Sequence, residues 1–228
     1  FLCCAVFLVF TLVGYTQKKG VATADKKFDN YSYVDAIATY EKVAAKGYKD
    51  EKMFQKLGDS YFFIADLIKA EKWYTALFEM NASQEPEYYY RYSQSLKAVG
   101  NYAKADKMLE QFIAKSATDQ RGKLFASQRD YLNEIKENSG KYEIFDAGIN
   151  SPYSDYGSAY YNNTLLFASA RDTGGVEKKV FKWNNESFTN LYSSQISTDG
   201  SMDKPEVFNK TINSRFHEST PAFTKDGQ

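Results

Sequence analysis

Apolar and small residues recur at helical spacing from residue 21 to about residue 138, and the pattern shifts to alternate positions after Ser139-Gly140. In the first stretch Phe54, Leu57, Gly58 and Tyr61 form one stripe, and Ala70, Tyr74 and Phe78 form the next. This is the 3.6-residue period of amphipathic helices. Ala36, Ala70 and Ala105 are spaced by 34 and 35 residues, and Ala24, Gly58 and Ser93 run in the same register twelve positions upstream. Helices that cross closely need a small side chain on each where their backbones approach, so two small-residue series in one register predict a repeat of two antiparallel helices. The turn between the helices of the middle unit falls at Asp66. Asn81-Ala82-Ser83 ends its second helix, and Pro86 opens the next unit. Residues 21–138 are therefore expected to form six or seven antiparallel helices. The last, roughly Asp119 to Asn138, carries Leu124, Tyr131, Leu132 and Ile135 and caps the stack.

Beyond residue 140 the alternating segments predict strands. Ser158 to Tyr161, the pair Asn162-Asn163 and Thr164 to Arg171 read as strand, tight turn and strand, leading to a turn at Asp172-Thr-Gly-Gly175. Val180 to Trp183 and Leu191 to Ser197 add two more strands. Pro221-Ala-Phe-Thr-Lys-Asp-Gly227 repeats the opening, with Ala222-Phe223 falling where Ala159-Tyr160 did and Asp226-Gly227 replacing the Asn-Asn turn. The expected product is one four-stranded blade with a long connection, a second just beginning, and residues 141–228 mostly strand.

The helical stretch resembles the tetratricopeptide repeat (TPR) through Phe54, Leu57-Gly58, Tyr61, Ala70 and Tyr74. The third unit matches through Tyr89, Tyr92-Ser93, Leu96, Ala105, Leu109 and Phe112. The first unit departs from the pattern, with Lys27 where a large apolar residue is expected and Phe28 beside it, so its first helix is expected to be short, irregular or frayed. Aromatics such as Tyr40, Tyr61, Trp73 and Tyr74 read as core filler at helical spacing. The resemblance implies a groove that receives an extended or helical peptide, lined by Gln55, Asp59 and Phe62 in the middle unit and Tyr90, Gln94 and Lys97 in the third. None of these forms the Lys/Asn set that clamps a terminal carboxylate.

Pro221 to Gly227 and Leu166-Phe-Ala-Ser-Ala-Arg171 resemble the two halves of the WD40-like propeller repeat of the TolB type, and Arg215 to Pro221 extends the match. The fold class expected is thus α then β, a helical repeat array followed by an incomplete β-propeller. The order of apolar leader, tetratricopeptide repeats and such a propeller is similar to OmpA-family envelope proteins of Bacteroidetes type. Those end in a peptidoglycan-binding domain, which would lie beyond Gln228. The family implies a periplasmic scaffold associated with the outer membrane, holding envelope proteins or peptides through the groove and propeller face and reaching peptidoglycan only through that further domain.

The N-terminal run supports export. Phe1 to Tyr15 is uncharged and apolar, shorter than the ~20 residues of a membrane span but suited to the hydrophobic core of a signal peptide. Gly14 and Thr16 then set cleavage after Thr16 or Gln17, giving domains at 1–17 (signal peptide), 21–138 (helical repeats) and 141–228 (propeller part). Both cysteines, Cys3 and Cys4, fall inside this leader, so the mature chain would lack thiol chemistry and zinc-thiolate sites. With 29 basic and 29 acidic residues and no long basic block, nothing forms the cationic footprint of a nucleic-acid binder.

Catalysis and cofactors are not expected. There is one histidine, and the sequence has no Gly-x-Ser-x-Gly elbow, His-Glu-x-x-His helix or phosphate-cradling glycine loop. His217, Glu218 and Ser219 are adjacent and cannot by themselves form a triad. The leading expectation is a non-catalytic interaction scaffold. The alternatives are a peptide-binding or chaperone-like module of a secretion or outer-membrane assembly system, and a propeller-bearing peptidase.

Overall fold

The computed structural model describes residues 2–171 and 180–226. It contains eight helices in a TPR-like array followed by a small antiparallel sheet, and no closed propeller or barrel is present among the described residues. Two compact units divide the chain. One is Phe1–Glu137 with Lys182–Asn184, and the other is Asn138–Phe181 with Asn185–Gln228.

In the helical unit α1 (Leu2–Asp29) pairs with α2 (Tyr33–Ala44), α3 (Glu51–Phe63) with α4 (Leu67–Met80), and α5 (Pro86–Ala98) with α6 (Tyr102–Lys115). The first helix of each pair also packs on the first helix of the next, α1 on α3 and α3 on α5, which is the geometry of a stacked two-helix repeat. The chain continues through α7 (Gln120–Ser127) and α8 (Tyr131–Asn138). Two expectations are corrected here. The first helix of the first unit is continuous through Lys27 to Asp29. Lys27 turns its ammonium outward to Thr39 Oγ1 (2.9 Å), and Phe28 packs edge-on against Tyr33. The single capping helix is instead two, broken at Gln128 to Asp130, where the backbone carbonyl of Asp130 accepts from the amides of Asn133 and Glu134 to start α8. Among the described residues no helix is long and apolar enough to cross a membrane.

The turns repeat with the helices. Tyr31, Ala65 and Gly100, again 34 and 35 apart, all take positive φ (58°, 63° and 76°) immediately before the residue that opens the second helix of their unit. In two units that residue caps with its side chain, Asp66 accepting from the Lys69 amide and Asn101 from the Lys104 amide. The small-residue series are buried as the register requires, with Ala24, Ala36, Ser93, Ala70 and Ala105 all fully enclosed. A Cβ added to Gly58 would lie 2.6 Å from a Tyr74 ring carbon, so the close approach in the middle unit is backbone against aromatic ring. Met53, Leu57, Leu77 and Leu96 fill the core between units, each worth roughly 1.5–3 kcal/mol on full burial.

The second unit is built on a sheet of order β1-β2-β5-β6, formed by Asp155–Tyr161, Thr164–Ser169, Asn190–Gln195 and Glu206–Val207. The short pair β3 (Val180–Phe181) and β4 (Glu186–Ser187) lies between β2 and β5 in sequence. All neighbours in the four-stranded sheet are antiparallel. Asn162 and Asn163 both take positive φ, as a tight two-residue hairpin requires. Ile149, Leu165, Phe167 and Tyr192 form the core. Arg171 ties the unit together. It donates to the Ile149 carbonyl (2.8 Å), Ser169 Oγ (2.8 Å) and Asp155 Oδ1 (3.1 Å) while lying over the Phe167 and Tyr192 rings. The expectation that residues 141–228 are mostly strand is not met, since strands are a minority among the described residues there and the described part of Pro221–Gly227 is irregular. Phe223 nevertheless stacks on Tyr161, 4.9 Å between centroids. The expected turn at Asp172 to Gly175, and Gly227 of the terminal turn, lie outside the described residues.

Candidate functional site

The first two repeats share a polar unit, half-buried in the first and buried in the second. Asp25, near the end of α1, has its counterpart in Asp59, the ninth residue of α3. Tyr40 and Tyr74 are each the eighth residue of their helix. The Tyr40 hydroxyl donates to Asp25 Oδ1 at 2.6 Å, and the Tyr74 hydroxyl to Asp59 Oδ1 at 2.7 Å. A cation at the sixth position of the next first helix completes each set, Lys56 of α3 on Asp25 (3.1 Å) and Arg91 of α5 on Asp59 (2.7 Å). Burial pushes the Asp59 carboxyl up, against the opposing pull of Arg91 and the Tyr74 hydroxyl. Arg91 also bonds Glu87 and lies over the Phe62 and Phe63 rings, and Glu87 is gripped in turn by Arg121, which pairs with Asp119. A ladder of charges thus links α3, α5 and α7.

The third repeat breaks this arrangement at all three places. Gln94 stands at the ninth position of α5, Leu109 at the eighth of α6 and Phe125 at the sixth of α7. Where the tyrosine, the carboxylate and the cation would meet there is instead a cavity of about 290 Å³, and Gln94, Leu109 and Phe125 all line it. Tyr90, Lys97, Arg121, Leu124 and Tyr131 complete the wall. The Lys97 ammonium sits 4.1 Å from the Tyr131 ring centroid and 5.7 Å from that of Phe125. It makes no ion pair or hydrogen bond among the described residues. Partial burial holds its pKa below the ordinary lysine value, with Asp106 acting in the opposite direction. Asp106 is itself engaged by the Tyr131 hydroxyl at 3.0 Å, which helps push the tyrosine, chiefly desolvated, up to about 12.

The six groove residues expected from the sequence therefore divide. Tyr90, Gln94 and Lys97 come together around the cavity. Gln55 instead donates to Gln84 Oε1 (2.8 Å), and Phe62 lies beneath the Arg91 guanidinium. Asp59 is not an open groove contact but a buried partner of Tyr74 and Arg91, only 5% exposed. Sequence reasoning missed Leu109, Phe125, Arg121 and Tyr131. The signal that finds the first two is their position, since each replaces a polar residue that the preceding units carry in register. A larger hollow of about 640 Å³ lies between α2 and α4, lined by Glu41, Tyr48, Phe54 and Trp73 among others, but none of the six residues reaches it.

No group of three or more His, Cys, Asp or Glu side chains able to hold a metal occurs among the described residues. His217 accepts the Thr189 amide on Nδ1 (3.2 Å) and packs against the rings of Phe181 and Phe188, a sheet-edge role.

No family model and no curated protein matches this chain. Among solved structures, it is similar to the C-terminal part of a TPR repeat-containing protein from Cytophaga hutchinsonii, at 23% identity and a TM-score of 0.39, over 43% of this chain and 39% of that one. It is also similar to the type III secretion translocator chaperone SycD from Yersinia enterocolitica (16% identity, 56% of this chain, 95% of that chain, TM-score 0.39). PcrH from Pseudomonas aeruginosa is similar at 15% identity, 53% of this chain, 90% of that chain and a TM-score of 0.38. The chain spans well under half the length of the first of these. At such identities and scores the likenesses carry no functional argument, and the repeat rests on this chain's own register.

Proposed function

We propose that the helical unit is a protein-interaction module that binds a segment of partner polypeptide in the groove of its third repeat. The observation that carries this reading is the cavity left where Gln94, Leu109 and Phe125 replace the Asp–Tyr–cation set of the earlier units. A repeat that only had to pack would keep the set, whereas an open, aromatic-walled hollow offers apolar area and polar anchors to an incoming chain. The test uses a permanently unfolded polypeptide, reduced and carboxymethylated α-lactalbumin, titrated against the full chain by fluorescence anisotropy. Leu109→Tyr restores the residue of the other units and fills the hollow, so it should abolish binding, while exposed Lys72→Ala should not. Equal binding by Leu109→Tyr and the unmodified protein would end this reading.

The finer role is that of an exported scaffold, the N-terminal part of an OmpA-like envelope protein, periplasmic and associated with the outer membrane. The apolar run at residues 1–15 and the Ser169-Ala170-Arg171 segment that ends and follows β2 of the four-stranded sheet support it. Alkaline phosphatase, active only when exported, fused after Lys18 should be active in cells. An inactive, intracellular fusion would refute export.

A further inference from the structure

The chemistry of the third-repeat cavity also specifies what it takes. In the first two units a carboxylate, half-buried in Asp25 and buried in Asp59, meets one tyrosine hydroxyl and one cation. In the third the carboxylate is missing, replaced by the neutral amide of Gln94, yet a cation remains on the same face of α5, three residues on, in Lys97. Arg121, the other cation of the wall, already has two carboxylates, Glu87 Oε2 at 2.8 Å and Asp119 Oδ2 at 2.9 Å. Among the described residues Lys97 has none at ion-pair distance. Its ammonium is held over aromatic rings, partly desolvated, where an added negative charge is attracted more strongly than in open water. Beside it Leu109 closes the floor and Leu124, more than half exposed, offers an apolar rim.

Building on the peptide-binding reading, we propose that the occupant is an acidic side chain of the partner polypeptide, an Asp or Glu next to an aliphatic residue. Its carboxylate takes the place that Asp25 and Asp59 fill in the earlier units and accepts from Lys97 and the Gln94 amide. The aliphatic neighbour lies against Leu109 and Leu124.

The experiment selects a random octapeptide library on the immobilised full chain and measures recovered peptides by anisotropy. Acidic-aliphatic pairs should be enriched. Replacing the acidic residue by its amide, or Lys97→Met, should weaken binding about tenfold, the loss of one charge-assisted hydrogen bond. Lys97→Arg should restore most of it, and circular dichroism should show the variants equally helical. If peptides are recovered and blocked by Leu109→Tyr but show no acidic preference and no response to Lys97→Met, the carboxylate anchor is wrong and the groove reading stands. If no peptide is selected, both fall.

Discussion

Replacing Gly58 by alanine would ordinarily stabilise a helix, because alanine removes about 0.8–1 kcal/mol of the glycine penalty in a helix interior. Here the sign reverses. The new Cβ would sit 2.6 Å and 2.8 Å from two ring carbons of Tyr74, well inside contact distance. The ring cannot simply swing away, because it is fully buried and its hydroxyl is tied to Asp59, which is tied to Arg91. With contacts this short against a ring that cannot move, the cost falls in the upper half of the ~1–3 kcal/mol typical of overpacking, so the net loss should be about 1–2 kcal/mol after the helix gain. With an m-value of ~2 kcal/mol/M this moves the urea midpoint down by about 0.5–1 M, read by the 222 nm circular dichroism of the helices. The cause is checked in a Tyr74→Leu background, where the ring is gone and Gly58→Ala should become neutral or stabilising. The coupling between the two changes should exceed ~1.5 kcal/mol. A Gly58→Ala protein as stable as the unmodified chain would refute the backbone-on-ring packing.

Removing one partner of the buried Asp59–Arg91 pair by Asp59→Ala should cost ~3–5 kcal/mol, while the double change Asp59→Leu with Arg91→Leu should cost less than the single one, a reversal visible in urea denaturation. Ala65, held at φ 63°, should accept Ala65→Gly with a gain of a few tenths to about 1 kcal/mol in the same assay, whereas a loss would mean the turn is not left-handed in solution. Burial raises the Asp155 pKa, but hydrogen bonds from Ser169, Ser151 and Arg171 outweigh it and leave the carboxyl below its usual value. Its contribution is therefore complete above an unfolded pKa of about 3.9 and fades as the pH falls through the lower folded value, so near-UV acid titration should show the sheet loosening there and Asp155→Asn should remove that step. Amides of α3 and α4 should exchange with solvent more slowly than those of residues 208–226, where exposed, irregular chain prevails, and equal protection would contradict this ranking.

The repeat was legible because close packing leaves a mark on single residues. A position that can hold only Gly, Ala or Ser recurs whatever surrounds it, so Ala24, Gly58 and Ser93 set the register. Asp59 was harder. An aspartate beside that stripe reads as solvent-facing until the fifteen-residue separation of Asp25 and Tyr40 is seen to recur in Asp59 and Tyr74, which pairs a carboxylate with a core tyrosine hydroxyl in both units. The break at Gln128 to Asp130 carries no Gly or Pro and left no punctuation. In the sheet, strands of two residues such as β4 and β6 are too short to show a period of two, and they went unseen while β1, β2 and β5 were found.

The polar ladder bears on the site through what it uses up. Asp59, Arg91, Glu87, Arg121 and Asp119 alternate in sign along α3, α5 and α7, so each arginine is neutralised before a ligand arrives. Such pairs add little net stability when partly exposed, but they fix the rotamers of the side chains they join. Arg121 is thereby held flat over the Tyr90 ring, 4.2 Å from its centroid, and Tyr90 is held against Phe112. One wall of the cavity is thus built from side chains that are already committed to one another. Lys97, held over the Tyr131 and Phe125 rings and outside the ladder, is the charge of the lining left without an ion-pair partner among the described residues. Rigid walls and a single uncommitted cation favour one orientation of a bound carboxylate, because the ligand does not have to order its own pocket.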